Sequence, residues 1–143
     1  MWVAEFRGTA EADPAAVWKI LSDVDGWGSW NDGIETITFD GPLAVGATFR
    51  MKPPGEDEMT SSIAELEVNR LLTDVTEMGE LTIRVVHRLE PLSSGGTSIS
   101  YRVEVIGSAE DAVGEQVGTA VSADFPQVIA ALAATAAAAR DQQ

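Results

Sequence analysis

A single histidine, His87, and a single tyrosine, Tyr101, are the side chains of this sequence best suited to move a proton or orient a polar ligand group. His87 shares strand parity with Leu81, Ile83, Val85 and Leu89, and Tyr101 with Ile99, Val103 and Val105, whereas Arg84, Arg88 and Glu104 take the opposite parity. Both rings are expected to face inward. With the intervening turn centred near Ser94, Tyr101 lies opposite His87 or one diagonal away, within reach of a ring-to-hydroxyl hydrogen bond. Imidazole titrates near neutrality, with an unperturbed pKa of about 6.5. The pair could therefore orient a ligand carbonyl or hydroxyl, or exchange a proton with it, and His87 and Tyr101 are the catalytic candidates if there is catalysis. A histidine satisfied within the core is the alternative reading. The preceding strand offers a carboxylate partner. There Leu72, Asp74, Thr76 and Met78 share one face and Thr73, Val75 and Glu77 the other, so alternation leaves open whether Asp74 or Glu77 looks inward.

Other chemistries lack their residues. The absence of cysteine removes thiolate nucleophiles, disulfides and cysteine-based metal sites, and one histidine cannot build a multi-histidine centre, so neither metal nor cofactor is expected. Asp23-Val24-Asp25-Gly26 has the flavour of a calcium loop, but its glycine falls two positions early and Ile34 stands where the closing glutamate is needed. No G-x-S-x-G elbow, phosphate-cradling P-loop or G-x-G-x-x-G turn occurs. Nine Lys and Arg against 23 Asp and Glu give a net charge of −14, which repels phosphate backbones and anionic bilayers and makes nucleic acid an unsuitable partner. The start, Met1 to Arg7, lacks the basic and apolar regions of a signal peptide, and no later stretch of about 20 apolar residues is expected to span a bilayer. A cytoplasmic protein without stable membrane insertion is the expectation, as monomer or homodimer. A chain of 143 residues suits one domain, 1–143, that buries roughly two thirds of its unfolded surface.

The elements that would position these residues follow from local pattern. Trp2 to Thr9 alternates as a half-buried strand, and Asp13-Pro14 reads as an N-cap with proline in the first turn of a short helix carrying Val17, Ile20, Leu21 and Val24. The glycine-rich stretch Asp23 to Gly33 predicts a helical turn or tight loop that sinks Trp27, Trp30 or both. Six extended runs follow, Glu35–Phe39, Ala47–Lys52, Thr60–Val68, Leu72–Met78, Leu81–Leu89 and Thr97–Ile106, with short turns that imply an antiparallel meander. Ser108 to Asp111 has capping-box spacing. Beyond it Val113, Val117, Val121, Phe125, Val128 and Leu132 form an apolar helical stripe that Pro126 should kink or break into nearly collinear parts. Gly114 and Gly118, four apart, would allow close approach to that helix.

This order resembles the helix-grip fold of the START-like superfamily, which includes the birch-pollen-allergen proteins: an α+β fold with a seven-stranded curved antiparallel sheet around a long C-terminal helix. The run Val17-Trp18-Lys19-Ile20-Leu21-Ser22-Asp23-Val24-Asp25-Gly26-Trp27-Gly28-Ser29-Trp30-Asn31 is similar to the opening of the SRPBCC, or polyketide cyclase/dehydrase, group. Gly46-Ala47-Thr48-Phe49-Arg50-Met51 and the hairpin of His87-Arg88-Leu89 with Gly95-Gly96-Thr97 match further segments of that group. Its members include lipid and sterol carriers, hormone receptors, aromatase/cyclases, hydroxylase-associated domains and co-chaperones, so the resemblance fixes fold better than function. A sheet curled around one helix about 10 Å wide has more concave area than the helix covers. The expected hollow suits a small hydrophobic, lipid- or polyketide-like partner. Expected lining residues are Trp27, Trp30, Phe49, Met51, Leu66, Val85, His87, Tyr101, Val103, Val117, Val121 and Phe125, which would otherwise simply fill the core. Ligand binding or transport is the first reading; an aromatase/cyclase-type enzyme and a partner-binding module with a vestigial cavity are the alternatives.

Overall fold

The computed structural model describes residues 1–107 and 112–141. Strand β1 (Trp2–Ala10) leads to helix α1 (Pro14–Leu21), a 3-10 helix (Val24–Ser29) and strands β2 (Thr36–Asp40), β3 (Thr48–Lys52), β4 (Met59–Glu67), β5 (Leu71–Met78), β6 (Leu81–Pro91) and β7 (Thr97–Gly107). Helices α2 (Ala112–Ser122) and α3 (Phe125–Asp141) complete the described chain. The seven strands form one sheet in the order β1-β7-β6-β5-β4-β3-β2. Strands β2 to β7 are the expected meander, and β1 pairs antiparallel with β7.

Local chemistry sets the helical connection between β1 and β2. Asp13 caps α1 by accepting a 2.9 Å hydrogen bond from the Ala16 amide, Pro14 opens the helix where no N–H is needed, and Val17, Trp18 and Leu21 are buried. The indole N–H of Trp27 donates to the Leu21 carbonyl at 2.8 Å, which ties the 3-10 helix to the end of α1.

The terminal stripe forms two helices rather than one. Proline has no N–H and its ring collides with the carbonyl four residues back, so α2 stops at Ser122 and Pro126 falls in the first turn of α3, where it is tolerated. Val113 is 46% exposed, contrary to its expected place on the packed stripe, whereas Phe125, Val128, Ile129 and Leu132 are buried. By length and mean hydropathy Val113–Ala139 would suffice to cross a bilayer, which corrects the expectation that no such stretch exists; in the fold its largest side chains face the core. The capping-box residues Ser108–Asp111 lie outside the described residues.

Helix α3 packs on β1, β7 and α1, and together α1 and α3 fill one part of the concave face. Leu21, Leu72, Leu89, Ile99 and Leu132 make that part solid. Helix α2 lies over β7 and β1. Its approach requires Gly118, because a Cβ there would fall 2.2 Å from the ring of Trp2.

Candidate functional site

A cavity of about 460 Å³ occupies the rest of the concave side, between the sheet, the 3-10 helix and α2. The 3-10 helix and the residue after it contribute Trp27 and Trp30, β3 contributes Phe49 and Met51, β6 Val85 and His87, β7 Tyr101, and the terminal helices Val117, Val121 and Phe125. Leu66 and Val103 do not line it. A β-bulge between Ile63 and Glu65 shifts the register so that Leu66 pairs with Leu72 and shares its concave face, where it packs against the core rather than the hollow. Val103 points inward as expected, yet it lies on β7 beneath the terminal helices and is fully buried.

Aromatic edges form a continuous wall. Phe49 meets Trp27 at 5.8 Å between centroids, Trp27 meets His87 at 5.5 Å, His87 meets Tyr101 at 4.5 Å and Tyr101 meets Phe125 at 5.4 Å. Three of the four contacts are edge-to-face, the geometry favoured by ring quadrupoles.

His87 is paired in register with Tyr101, as strand alternation predicts, and is 3% exposed. Its hydrogen bond goes elsewhere: Nδ1 lies 2.8 Å from the Leu72 carbonyl oxygen. A carbonyl can only accept, so Nδ1 carries the proton and Nε2 presents its lone pair. Facing Nε2 at 3.9 Å is Oδ2 of Asp74, which settles the open choice between carboxylates: Asp74 is buried, while Glu77 is exposed and accepts from the Thr82 hydroxyl. Burial disfavours the charged form of each group. It pushes the Asp74 carboxyl up to about 7 and brings the His87 imidazole down to about 4 despite the Leu72 hydrogen bond, which acts in the opposite sense. Tyr101 is held well above its ordinary value by burial first, then by the charges of Asp74 and Asp124. The group poised to exchange a proton near neutrality is thus Asp74 rather than His87.

Several lining residues escaped the sequence reading. Ser61 and Thr76 share a 2.5 Å hydroxyl contact on the wall, and Asn31, Asp124, Glu56, Met59 and Met78 also line the cavity. Ser61 shares strand parity with Ile63, a signal that the inward face of β4 begins there. Among the lining residues the carboxylates are Asp74, Asp124 and Glu56, with no lysine or arginine. Among the described residues no three or more His, Asp or Glu side chains come together as metal ligands.

Residues 1–137 match the family described as polyketide cyclase / dehydrase and lipid transport. No curated protein matches the sequence. Among solved structures the chain is similar to Ara h 8.0201, at TM-score 0.77 and 16% identity over 96% of this chain and 98% of that one. It is also similar to the Zhui aromatase/cyclase from a Streptomyces species, at TM-score 0.74 and 16% identity over 94% of this chain and 93% of that one. A point mutant of norcoclaurine synthase from Thalictrum flavum, in complex with a transition state analogue, aligns at TM-score 0.77 and 14% identity over 97% and 96% of the two chains. At such identities the likeness shows the fold alone, a helix-grip architecture.

Proposed function

Since the chain belongs to the polyketide cyclase / dehydrase and lipid transport family, we propose that it binds a small hydrophobic ligand in the cavity under α2. The observation that carries this reading is the aromatic, largely apolar hollow of about 460 Å³, within the range of small-molecule sites. A filled core would have no such volume, because protein interiors pack to crystal-like density. Trp27 and Trp30 on the wall provide the readout. A panel of fatty acids, flavonoids and polycyclic aromatics, followed by tryptophan fluorescence and thermal shift, should yield a binder well below millimolar; a panel without one sinks the proposal. Mass spectrometry of small molecules that co-purify with the protein would name the class directly.

One observation favours a second reading, an aromatase/cyclase-type enzyme. A carboxyl held near pH 7 opposite a neutral imidazole can take a proton from a bound chain and return it elsewhere. On this reading Asp74→Asn and His87→Gln each reduce turnover of a polyketide-like substrate by roughly 100-fold. Turnover unchanged in both variants removes the pair from any chemistry.

A further inference from the structure

We propose that the ligand carries a protonated amine on an apolar or aromatic body, with the ammonium seated between Asp74 and His87. This rests on the ligand-binding reading above and narrows it to one charge class. Two acceptor atoms meet at this point of the wall. The proton of His87 Nδ1 is committed to the Leu72 carbonyl, so Nε2 presents a lone pair, and Asp74 Oδ2 stands 3.9 Å away. That separation is too long for a direct hydrogen bond, yet one donor nitrogen between them can reach both. Asp74 is 8% exposed and lines the cavity, with His87 Nε2 facing its Oδ2 at 3.9 Å. A ligand that brings a donor to this carboxyl gains a charge-assisted bond in a low-dielectric site.

The surroundings select the same sign. The other charged lining residues, Asp124 and Glu56, are also carboxylates, and the chain as a whole carries −14. An anionic ligand such as a fatty acid meets repulsion at the wall, and a cation is drawn in. The rings of Trp27 and Tyr101, flanking His87 at 5.5 and 4.5 Å, add faces and edges against which an ammonium and its apolar body can rest. Because burial raises the Asp74 carboxyl to about 7, part of the population is protonated at neutral pH, and an ammonium that holds it ionised expels that proton.

The test uses three ligands with one skeleton: naphthylmethylamine, naphthylmethanol and naphthylacetate, titrated calorimetrically near neutral pH at low salt. The amine should bind about tenfold or more tightly than either of the others. Its enthalpy should vary with the ionisation enthalpy of the buffer, a measurement on the unmodified protein that reports the released proton. In Asp74→Asn the amine preference should collapse. Equal affinities, or a preference for the acetate, overturn the inference while leaving ligand binding intact, and an amine preference retained in Asp74→Asn overturns Asp74 as its counter-ion. Binding by none of the three overturns this inference together with the reading on which it rests.

Discussion

Asp74 and His87 couple folding to pH in opposite senses. The Asp74 carboxyl stands at about 7 in the fold against 3.8 for a free side chain, so it takes up a proton on folding between these values. Its contribution to stability is present below about 3.8 and is lost as pH rises through about 7. The His87 imidazole stands at about 4 against 6.5, so it gives up a proton on folding, and its contribution is present above 6.5 and lost as pH falls towards about 4. Between about 4 and 6.5 the two slopes cancel. Asp74→Asn should uncover the histidine, its stability relative to the parent rising by about 1.4 kcal/mol per pH unit across that window. His87→Gln should show the reverse slope, continuing to about 7. Denaturant midpoints measured from about pH 4 to 7.5 check both, and parallel profiles for the three proteins would contradict the buried titrations. The same pair shows what single residues reveal in sequence. Every apolar residue flanking His87 shares its parity except Val86, so its inward aim was legible. On β5 the apolar residues are split evenly, Leu72 and Met78 on one parity and Leu71 and Val75 on the other, so the direction of Asp74 emerges only once β5 is registered against β6.

Elements decide which inward residues meet the ligand and which meet another element. Val85 and Val103 are cross-strand partners on the concave face, but Val85 looks into the hollow while Val103 lies under the terminal helices. Val103→Ala should therefore cost about 2 kcal/mol, because it opens a void in packed surroundings, and Val85→Ala clearly less, because it only enlarges a space already present. Paired chemical-denaturation curves test the difference. The close seating of α2 depends on Gly118. Alanine there gains roughly 1 kcal/mol of helix propensity, but its methyl collides with Trp2 and must displace the helix, an overpacking cost of about 1–3 kcal/mol. Gly118→Ala is expected to lower Tm and alter tryptophan emission; an unchanged Tm would mean that α2 moves freely off β1. The meander of β2 to β7, the capped first helix and the break in the terminal stripe were readable because each rests on local rules, whereas the pairing of β1 with β7 joins distant parts of the chain. The extra residue in β4 carries no marker in the sequence, yet it is what turns Leu66 onto the concave face beside Leu72, in the packed part of that face rather than at the hollow.

At the scale of the whole molecule, a sheet of seven strands must be covered by α1, α2 and α3, and coverage fails on the side of the 3-10 helix. Composition and charge were legible from the chain, but the free volume was not, because it depends on how the two terminal helices divide the concave face. Filling that volume is the direct test of whether it is real. Val121 lines the cavity from α2 and is half-buried, so Val121→Phe would place an aromatic ring into the hollow. In a solid core the added ring forces its neighbours off their rotamers and destabilises by about 1–3 kcal/mol. In an empty apolar hollow it buries new surface at about 25 cal/mol per Å² without displacing anything. The variant is expected to melt a few degrees above the parent and to lose affinity for the naphthalene ligands together. A lowered Tm would show that the space is already occupied by the protein itself, and a raised Tm with binding intact would move the ligand site away from α2.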